Sequence, residues 1–374
     1  MRIGVPREAA DDERRVSMTP DVTGRLAARG HQIVVESGAG LQAGHRDHEY
    51  VDRGAGITDA GGVYEVDLVA TVGRPGPLER LAVPGAVLGL LRPLDDPAWV
   101  ASAAAAGATA FAFELVPRTT RAQVVDALSS QATVAGYQAV LEAAVTGDRF
   151  YPMLTTAAGT LRPAKVLVLG AGVAGLMAIA TARRLGAVVS GFDVRSAAAE
   201  QVKSLGASFI EAVEQPQDDA AAGGYARQLD EDQQRRVIEG LAGHVVDADA
   251  VICTAAVPGR PAPRLIEEAT VEAMRPGAVI VDLAASTGGN CALTRPGETI
   301  VHGGVTIMGA TDLASRTPGH ASQMYARNVA AFVELLESDG SIDVEVDDDI
   351  VRGSCATHGG VVVHPAVLAA LEVN

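Results

Sequence analysis

Short apolar runs alternate with longer amphipathic or Ala-rich stretches along most of the chain. Ile3 to Val5, Gln32 to Glu36, Val66 to Val72, Ala86 to Leu91 and Ala108 to Phe113 read as strands. Most are apolar at successive positions, the pattern of parallel strands covered on both faces. Asp21 to Arg29 reads as a helix begun near Pro20, and the SGAG run at 37–40 as a turn. The rhythm resumes with Val166 to Leu169, Val188 to Phe192, Ala207 to Ile210, Ala250 to Thr254 and Ala278 to Asp282. Strand–helix alternation of this kind predicts the α/β class, with two Rossmann-like doubly wound parallel-sheet domains joined by long helices. Ser129 to Ala144, capped by Ser129 or Ser130, leads out of the first domain, and Ser322 to Leu336 returns to it. The expected division is 1–130 completed by 322–374, and 131–321. Gln215 to Asp232 reads as an exposed polar loop tipped by Gly223, Gly224 and Tyr225. Glu337 to Asp349 reads as a solvated acidic stretch, and His358 to Pro365 as a small terminal hairpin.

One stretch carries more than a fold. From Pro163 to Arg195 the chain reads PAKVLVLGAGVAGLMAIATARRLGAVVSGFDVR. A buried strand is followed at once by Gly170, Gly172 and Gly175 in the spacing GxGxxG, then by a helix from Val173 to Leu185. Gly170 permits the sharp turn, Gly172 lets a pyrophosphate approach the backbone, and Gly175 lets helix and strand pack closely. The helix N-terminus then faces the phosphates. Asp193 ends the second strand, where a carboxylate accepts bonds from the adenosine ribose and repels a 2′-phosphate, which favours NAD(H) over NADP(H). Arg195, a cation two residues on, works against that discrimination.

Bulk properties narrow the function. The 374 residues carry a net charge of -16, which opposes binding to nucleic acid or anionic lipid. Hydrophobic residues make up 48%, enough for two cores. The three cysteines, Cys253, Cys291 and Cys355, are far apart and suit a disulfide-free intracellular protein. The N-terminal run has no apolar signal-peptide core, and Trp99 to Phe113 is too short to span a bilayer. His45 and His48 flank Asp47, the other histidines are scattered, and no metal site is expected.

Several long, irregular segments resemble those of the soluble NAD(H)-binding alpha subunit of the proton-translocating NAD(P) transhydrogenases, a family related to alanine dehydrogenase. They include ERRVSMTP from Glu13, RAQVVDALSSQATVAGYQAVL from Arg121, PMLTTAAGTLRPAKVLVLGAGVAG from Pro152 and VDLAASTGGNC from Val281. GGYAR at Gly223, VPGRPAPRLI at Val257, and TDLASR with SQMY beyond it continue the match. The resemblance implies that NADH bound here passes a hydride to NADP+ on a partner domain, coupled to proton passage through a separate membrane subunit. It implies a homodimer, cytoplasmic and peripheral to the inner membrane through its partners, with no direct insertion and no nucleic acid. Its nicotinamide-side residues fall on Arg118, Gln123, Asp126 and Ser129, which read locally as an orienting set or as an ordinary polar helix start. The cofactor-binding set becomes Gly170, Gly172, Val173, Gly175, Asp193, Val194, Arg195, Gly224, Tyr225, Thr254 and Ala255. The segment around Tyr225 looks like the family's loop that closes over bound nucleotide.

Two alternatives stay open. Alanine dehydrogenases use an Arg, a Lys and a His in the first domain. The Arg is matched by Arg15, but the Lys position falls in Thr71-Val72-Gly73-Arg74 and the His position in Val87-Leu88-Gly89-Leu90. A non-catalytic NAD(H)-binding module is the other. Thr71, where transhydrogenases usually carry Lys, and Thr317-Pro318-Gly319-His320 depart from the family's pattern.

Overall fold

The structure, a computed structural model, describes residues 1–76, 78–80, 85–211, 231–257, 259–338, 341–342 and 348–373. The tip Gly223-Gly224-Tyr225, and most of the polar stretch around it, lie outside the described residues. The chain divides into two compact units: Met1–Gln131 with Ser315–Asn374, and Ala132–Ala314.

The first unit is built on an eight-stranded sheet. From one edge its order is Gly56–Thr58, Gln32–Glu36, Arg2–Val5, Leu68–Ala70, Ala86–Gly89, Thr109–Ala112, Cys355–His358 and Val361–Val362. The first six pair in parallel, whereas Cys355–His358 runs antiparallel to Thr109–Ala112 and Val361–Val362 caps it. Leu68–Ala70, Ala86–Gly89 and Thr109–Ala112 are buried at every position, as their unbroken apolar runs require. The helix Pro318–Leu336 belongs wholly to this unit and begins at Pro318 rather than Ser322, because proline suits a first helical turn, whose N–H groups have no intrahelical partner. It sinks Tyr325, Val329, Phe332 and Val333 into the core. Phe113 meets Tyr325 at 5.5 Å and Phe332 at 5.7 Å, both edge-on, the geometry the ring quadrupoles favour. The terminal hairpin is followed by a helix, Pro365–Val373, whose Val367 packs with Leu91, Val100 and Ala356. Its apolar run lacks a polar face, so periodicity gave no sign of it.

The second unit holds a seven-stranded sheet in the order Ser208–Phe209, Val188–Phe192, Lys165–Leu169, Ala250–Cys253, Val279–Asp282, Val305–Gly309 and Thr299–His302. All pairs are parallel except the last, which closes the edge as a hairpin. Strand order reverses between Lys165–Leu169 and Ala250–Cys253, the switch point at which doubly wound sheets bind ligands. A small exposed hairpin, Leu154–Thr156 with Gly159–Leu161, was not foreseen; its Thr and Gly residues carry no apolar alternation.

The long helix Ala127–Thr146 carries the chain across the boundary between Gln131 and Ala132. Its cap is Asp126 rather than Ser129 or Ser130: the carboxylate accepts the Ser129 N–H at 2.9 Å, satisfying one of the open donors of the first turn. Farther along, within the second unit, Gly136 lies against the backbone of Ala174. A methyl on Gly136 would overlap the Ala174 carbonyl. Both sides of that contact are backbone, so neither moves aside cheaply. Gly136→Ala is therefore expected to destabilise the protein by about 1–3 kcal/mol, despite the better helix propensity of alanine. Urea unfolding of the two forms measures it, and an unchanged or raised midpoint would contradict the close approach.

Candidate functional site

In the second unit the three motif glycines differ in their surroundings. Gly170 has φ +96, a conformation that side chains disfavour, and a Cβ there would lie 2.8 Å from the Ala255 nitrogen. A Cβ on Gly175 would collide with the Gly170 carbonyl oxygen, so the helix Val173–Arg184 rests directly on the turn. Gly172 is the reverse case: a Cβ would meet nothing within 4 Å. The turn is thus forced at Gly170, packed at Gly175 and open at Gly172, beside the N-terminus of the helix. Val173, the first helical residue, is 44% exposed and forms part of that open face. Val194 packs partly buried against the core beneath.

Asp193 sits at the end of its strand as the sequence placed it, but its carboxylate is already engaged. Oδ2 accepts the Ala171 N–H at 2.8 Å and the Arg195 guanidinium at 2.8 Å. Oδ1 accepts the Arg195 backbone N–H and Nε, each at 2.9 Å. These four donors fill the acceptor positions of a carboxylate. Asp193 has an acceptor position for a further donor only once Arg195 turns aside. The guanidinium side chain keeps 32% of its surface, so a cation stands where the motif alone suggests a bare anion.

Thr254 and Ala255 follow the neighbouring strand and close the other side of the turn. The Thr254 hydroxyl donates to the Gly170 carbonyl at 2.8 Å. Ala255 is held at both backbone atoms by Asn290, which accepts its N–H at 3.1 Å and donates to its carbonyl at 2.8 Å. Asn290 donates also to the Pro263 carbonyl at 2.7 Å and has no exposed surface. Asp282 orders the loop that carries it. That buried carboxylate accepts from Ala284 N, Asn290 N, Cys291 N and the Thr294 hydroxyl. Burial pushes its proton affinity up, against the four donors that stabilise the ion. Neither Asp282 nor Asn290 was assigned a role from sequence. An Asp closing the apolar strand VIVD was the available signal.

In the first unit, Arg118, Gln123, Asp126 and Ser129 fall on the segment leading into the long helix. Arg121–Val125 forms a single 3-10 turn, with Ala122 and Val125 buried and Gln123 exposed. Ser129 donates its hydroxyl to Asp126 at 2.6 Å in addition to the capping bond. Partial desolvation lowers the proton affinity of Arg118, and the charge of Asp126 opposes that effect. Gln123 therefore stands in solvent on a turn whose flanks are fixed.

The same unit contains Arg15, in a buried polar network. Its guanidinium donates to both Glu13 oxygens, at 2.8 and 2.5 Å, and to Gln131 Oε1 at 2.8 Å. Burial works against ionisation of Glu13, but the bonds from Arg15 outweigh it and hold the carboxyl below its usual range. Glu8 has no such partner. Its oxygens accept only backbone donors among its described hydrogen bonds, Val72 N at 2.7 Å and Gly73 N at 2.9 Å. The residue keeps some surface, whereas its carboxylate is ringed by protein, and this burial pushes its pKa up to about 7. Thr71, at the position where the resemblance expects Lys, turns its hydroxyl to the Gly73 carbonyl at 2.6 Å, and its own carbonyl accepts from Tyr325 at 2.7 Å.

Among the described residues, one group, Glu268, Glu272 and His302, brings metal-capable atoms within 4.8 Å of one another. Both carboxylates are exposed and lie 3.8 and 3.5 Å from the imidazole. Among the described residues, no helix is long and apolar enough to cross a membrane.

Comparison with known proteins matches residues 4–135 to the alanine dehydrogenase/PNT N-terminal domain and 139–365 to the corresponding C-terminal domain. The chain is 42% identical to an NAD(P) transhydrogenase subunit alpha chain of Rhodospirillum rubrum, over 98% of this chain and 99% of that one. It is 28% identical to the alanine dehydrogenase of Bacillus subtilis, over 98% and 94% of the two chains. The crystal structure of a transhydrogenase from Sinorhizobium meliloti superposes with a TM-score of 0.88 at 42% identity, covering 97% of this chain and 100% of that one. An L-alanine dehydrogenase structure gives 0.84 at 26%, covering 100% and 99%.

The Glu8 environment has a consequence for stability. Its folded pKa lies above the ordinary value of 4.5, so the folded state binds the proton more tightly. That contribution is complete below about pH 4.5 and is lost as pH rises to about 7, at most about 3 kcal/mol. Urea midpoints should therefore fall more steeply over this window in the wild type than in Glu8→Gln. Parallel pH profiles would show that the Glu8 pKa does not rise on folding.

Proposed function

The chain belongs to the alanine dehydrogenase/PNT family, and from that premise we propose that it is the NAD(H)-binding component of a proton-translocating NAD(P) transhydrogenase. In this reading NADH is the substrate bound here, NADP+ is bound by a partner subunit, and a separate membrane subunit carries the protons. The chain then sits in the cytoplasm at the inner membrane, as one half of a homodimer, attached through its partners. The glycine turn with its open Gly172 holds the pyrophosphate, and Thr254 and Ala255 line it. Tyr225 and Gly224 belong to the proposed closing loop, outside the described residues. Gln123 offers its amide to the nicotinamide carboxamide, while Asp126 and Ser129 hold the turn beside it.

The chemistry asks little of acids or bases. A hydride passes with its electron pair from C4 of one nicotinamide to C4 of the other, giving NAD+ and NADPH and releasing no proton. Alignment of the rings and exclusion of water supply the acceleration. Oxidation of an amino acid differs: the substrate amine loses a proton, and a residue must accept it.

The observation that favours transhydrogenation is the absence of a histidine at 87–90 together with an Arg15 that is already engaged by Glu13 and Gln131. The run Thr71-Val72-Gly73-Arg74 holds no lysine, a departure from both activities, and Val72 and Gly73 offer Glu8 backbone N–H.

Nicotinamide fluorescence tests the nucleotide assignment. NADH should bind more tightly than NADPH, and Arg195→Ala should widen the gap by about tenfold, because Asp193 is then left bare before the 2′-phosphate. Equal affinities in both proteins would remove Asp193 from the site. A second assay tests the reaction. With an NADP-binding partner subunit the chain should reduce NADP+ from NADH, and with NAD and alanine alone it should not turn over. Gln123→Asn should slow transfer by about tenfold or more while leaving NADH affinity within about threefold. Oxidation of alanine by the pure chain would overturn the assignment.

A further inference from the structure

The turn bearing Gln123 is held by side chains that have no role assigned above. Asn328, on the helix Pro318–Leu336 and 93% buried, donates its amide to the Val124 carbonyl at 2.9 Å and accepts the Ser130 hydroxyl at 2.8 Å. The orientation of that amide is dictated by its partners: a backbone carbonyl only accepts, so the nitrogen must face Val124. One buried side chain thereby ties the last residues of the Gln123 turn to the first turn of the long helix. On the other flank, Arg121 forms a bidentate pair with Asp348, at 2.6 and 2.9 Å, and contacts Asp349. Asp348 in turn accepts the N–H groups of Ile350 and Val351, so its position is set by the helix it caps. Between these two fastenings Ala122 and Val125 are sunk in the core. Gln123 alone of the five residues combines an amide side chain with exposure.

We propose that Asn328 is a positioning residue for hydride transfer: it fixes the backbone on which Gln123 stands, and acts through Gln123 rather than through contact with either nucleotide. This rests on the assignment of Gln123 to the nicotinamide. The Arg121–Asp348 pair is exposed on the Arg side and contributes less, since solvent screens it. The Asn328 side chain is buried and its bonds are partly so, and losing them removes the side-chain donor from the Val124 carbonyl. A turn that shifts by a fraction of an ångström still leaves the pyrophosphate end of the nucleotide untouched, but the rings lose their alignment.

The test uses the full chain with its NADP-binding partner subunit, reading single-turnover reduction of NADP+ and, separately, NADH affinity by fluorescence. Asn328→Ala should slow transfer by about ten- to a hundredfold with NADH affinity changed by less than about threefold. The decisive comparison is the double variant. If Asn328 acts through Gln123, Gln123→Ala with Asn328→Ala should transfer within about twofold of Gln123→Ala alone, whereas independent effects would multiply. Should Asn328→Ala lose its folded circular-dichroism signal, Asn328→Asp carries the same comparison, because it keeps the acceptor for Ser130 and loses the donor to Val124. Wild-type transfer in the single variant, or multiplied losses in the double, would overturn the proposal. If Gln123→Ala itself leaves transfer unchanged, the proposal falls at its premise, and the nicotinamide assignment falls with it.

Discussion

A carboxylate with no exposed surface holds the loops above the second sheet. Asp282 gathers three backbone N–H groups and one hydroxyl from the residues that follow its strand. Through Asn290 that order reaches Ala255, and through Ala255 and Thr254 it reaches the glycine turn. The three N–H groups on Asp282 are buried, and an unpaired one would cost about 1–3 kcal/mol. The chain from Asp282 to Gly170 is therefore a single linked solution to the problem of pairing buried polar atoms.

The first unit solves the same problem with different side chains. Asn328 serves Val124 and Ser130, Gln131 serves Arg15 and the Ala321 carbonyl, and Tyr325 serves Thr71. The helix Pro318–Leu336 is the common element: its apolar face makes the core, and its few buried polar residues reach the loops. Packing and orientation are thus set by one helix. Glu8 is the exception, a carboxylate whose burial is opposed by backbone donors and the more distant charge of Arg15, and its raised pKa records the cost.

Asp193 and Arg195 show how two adjacent features read separately mislead. An acid at the end of the second strand suggests a bare ribose acceptor. With Arg195 folded back onto both oxygens, the pair presents a cation as well as an anion. In the proposed nucleotide site, selectivity then depends on which of the two faces the ribose.

The sequence by itself determined the α/β class, most buried strands and the glycine turn, because these depend on local apolar runs and on glycine's freedom at Gly170 and Gly175. Its irregular segments also carried the family, which comparison over nearly the whole chain bears out. Tertiary structure decided what spacing does not encode. Cys355–His358 joins the sheet antiparallel beside Thr109–Ala112, a partner more than two hundred residues away in sequence. The cap of the long helix is Asp126, since its carboxylate reaches the third residue of the first turn, whereas Ser129 lies inside the helix and spends its hydroxyl on Asp126. Asp282 closes the apolar strand VIVD, but no local pattern names the partners of Asp282, Asn290 or Asn328. They acquire meaning only when folding brings a distant carbonyl or N–H within three ångströms and removes the water that would otherwise have paired it.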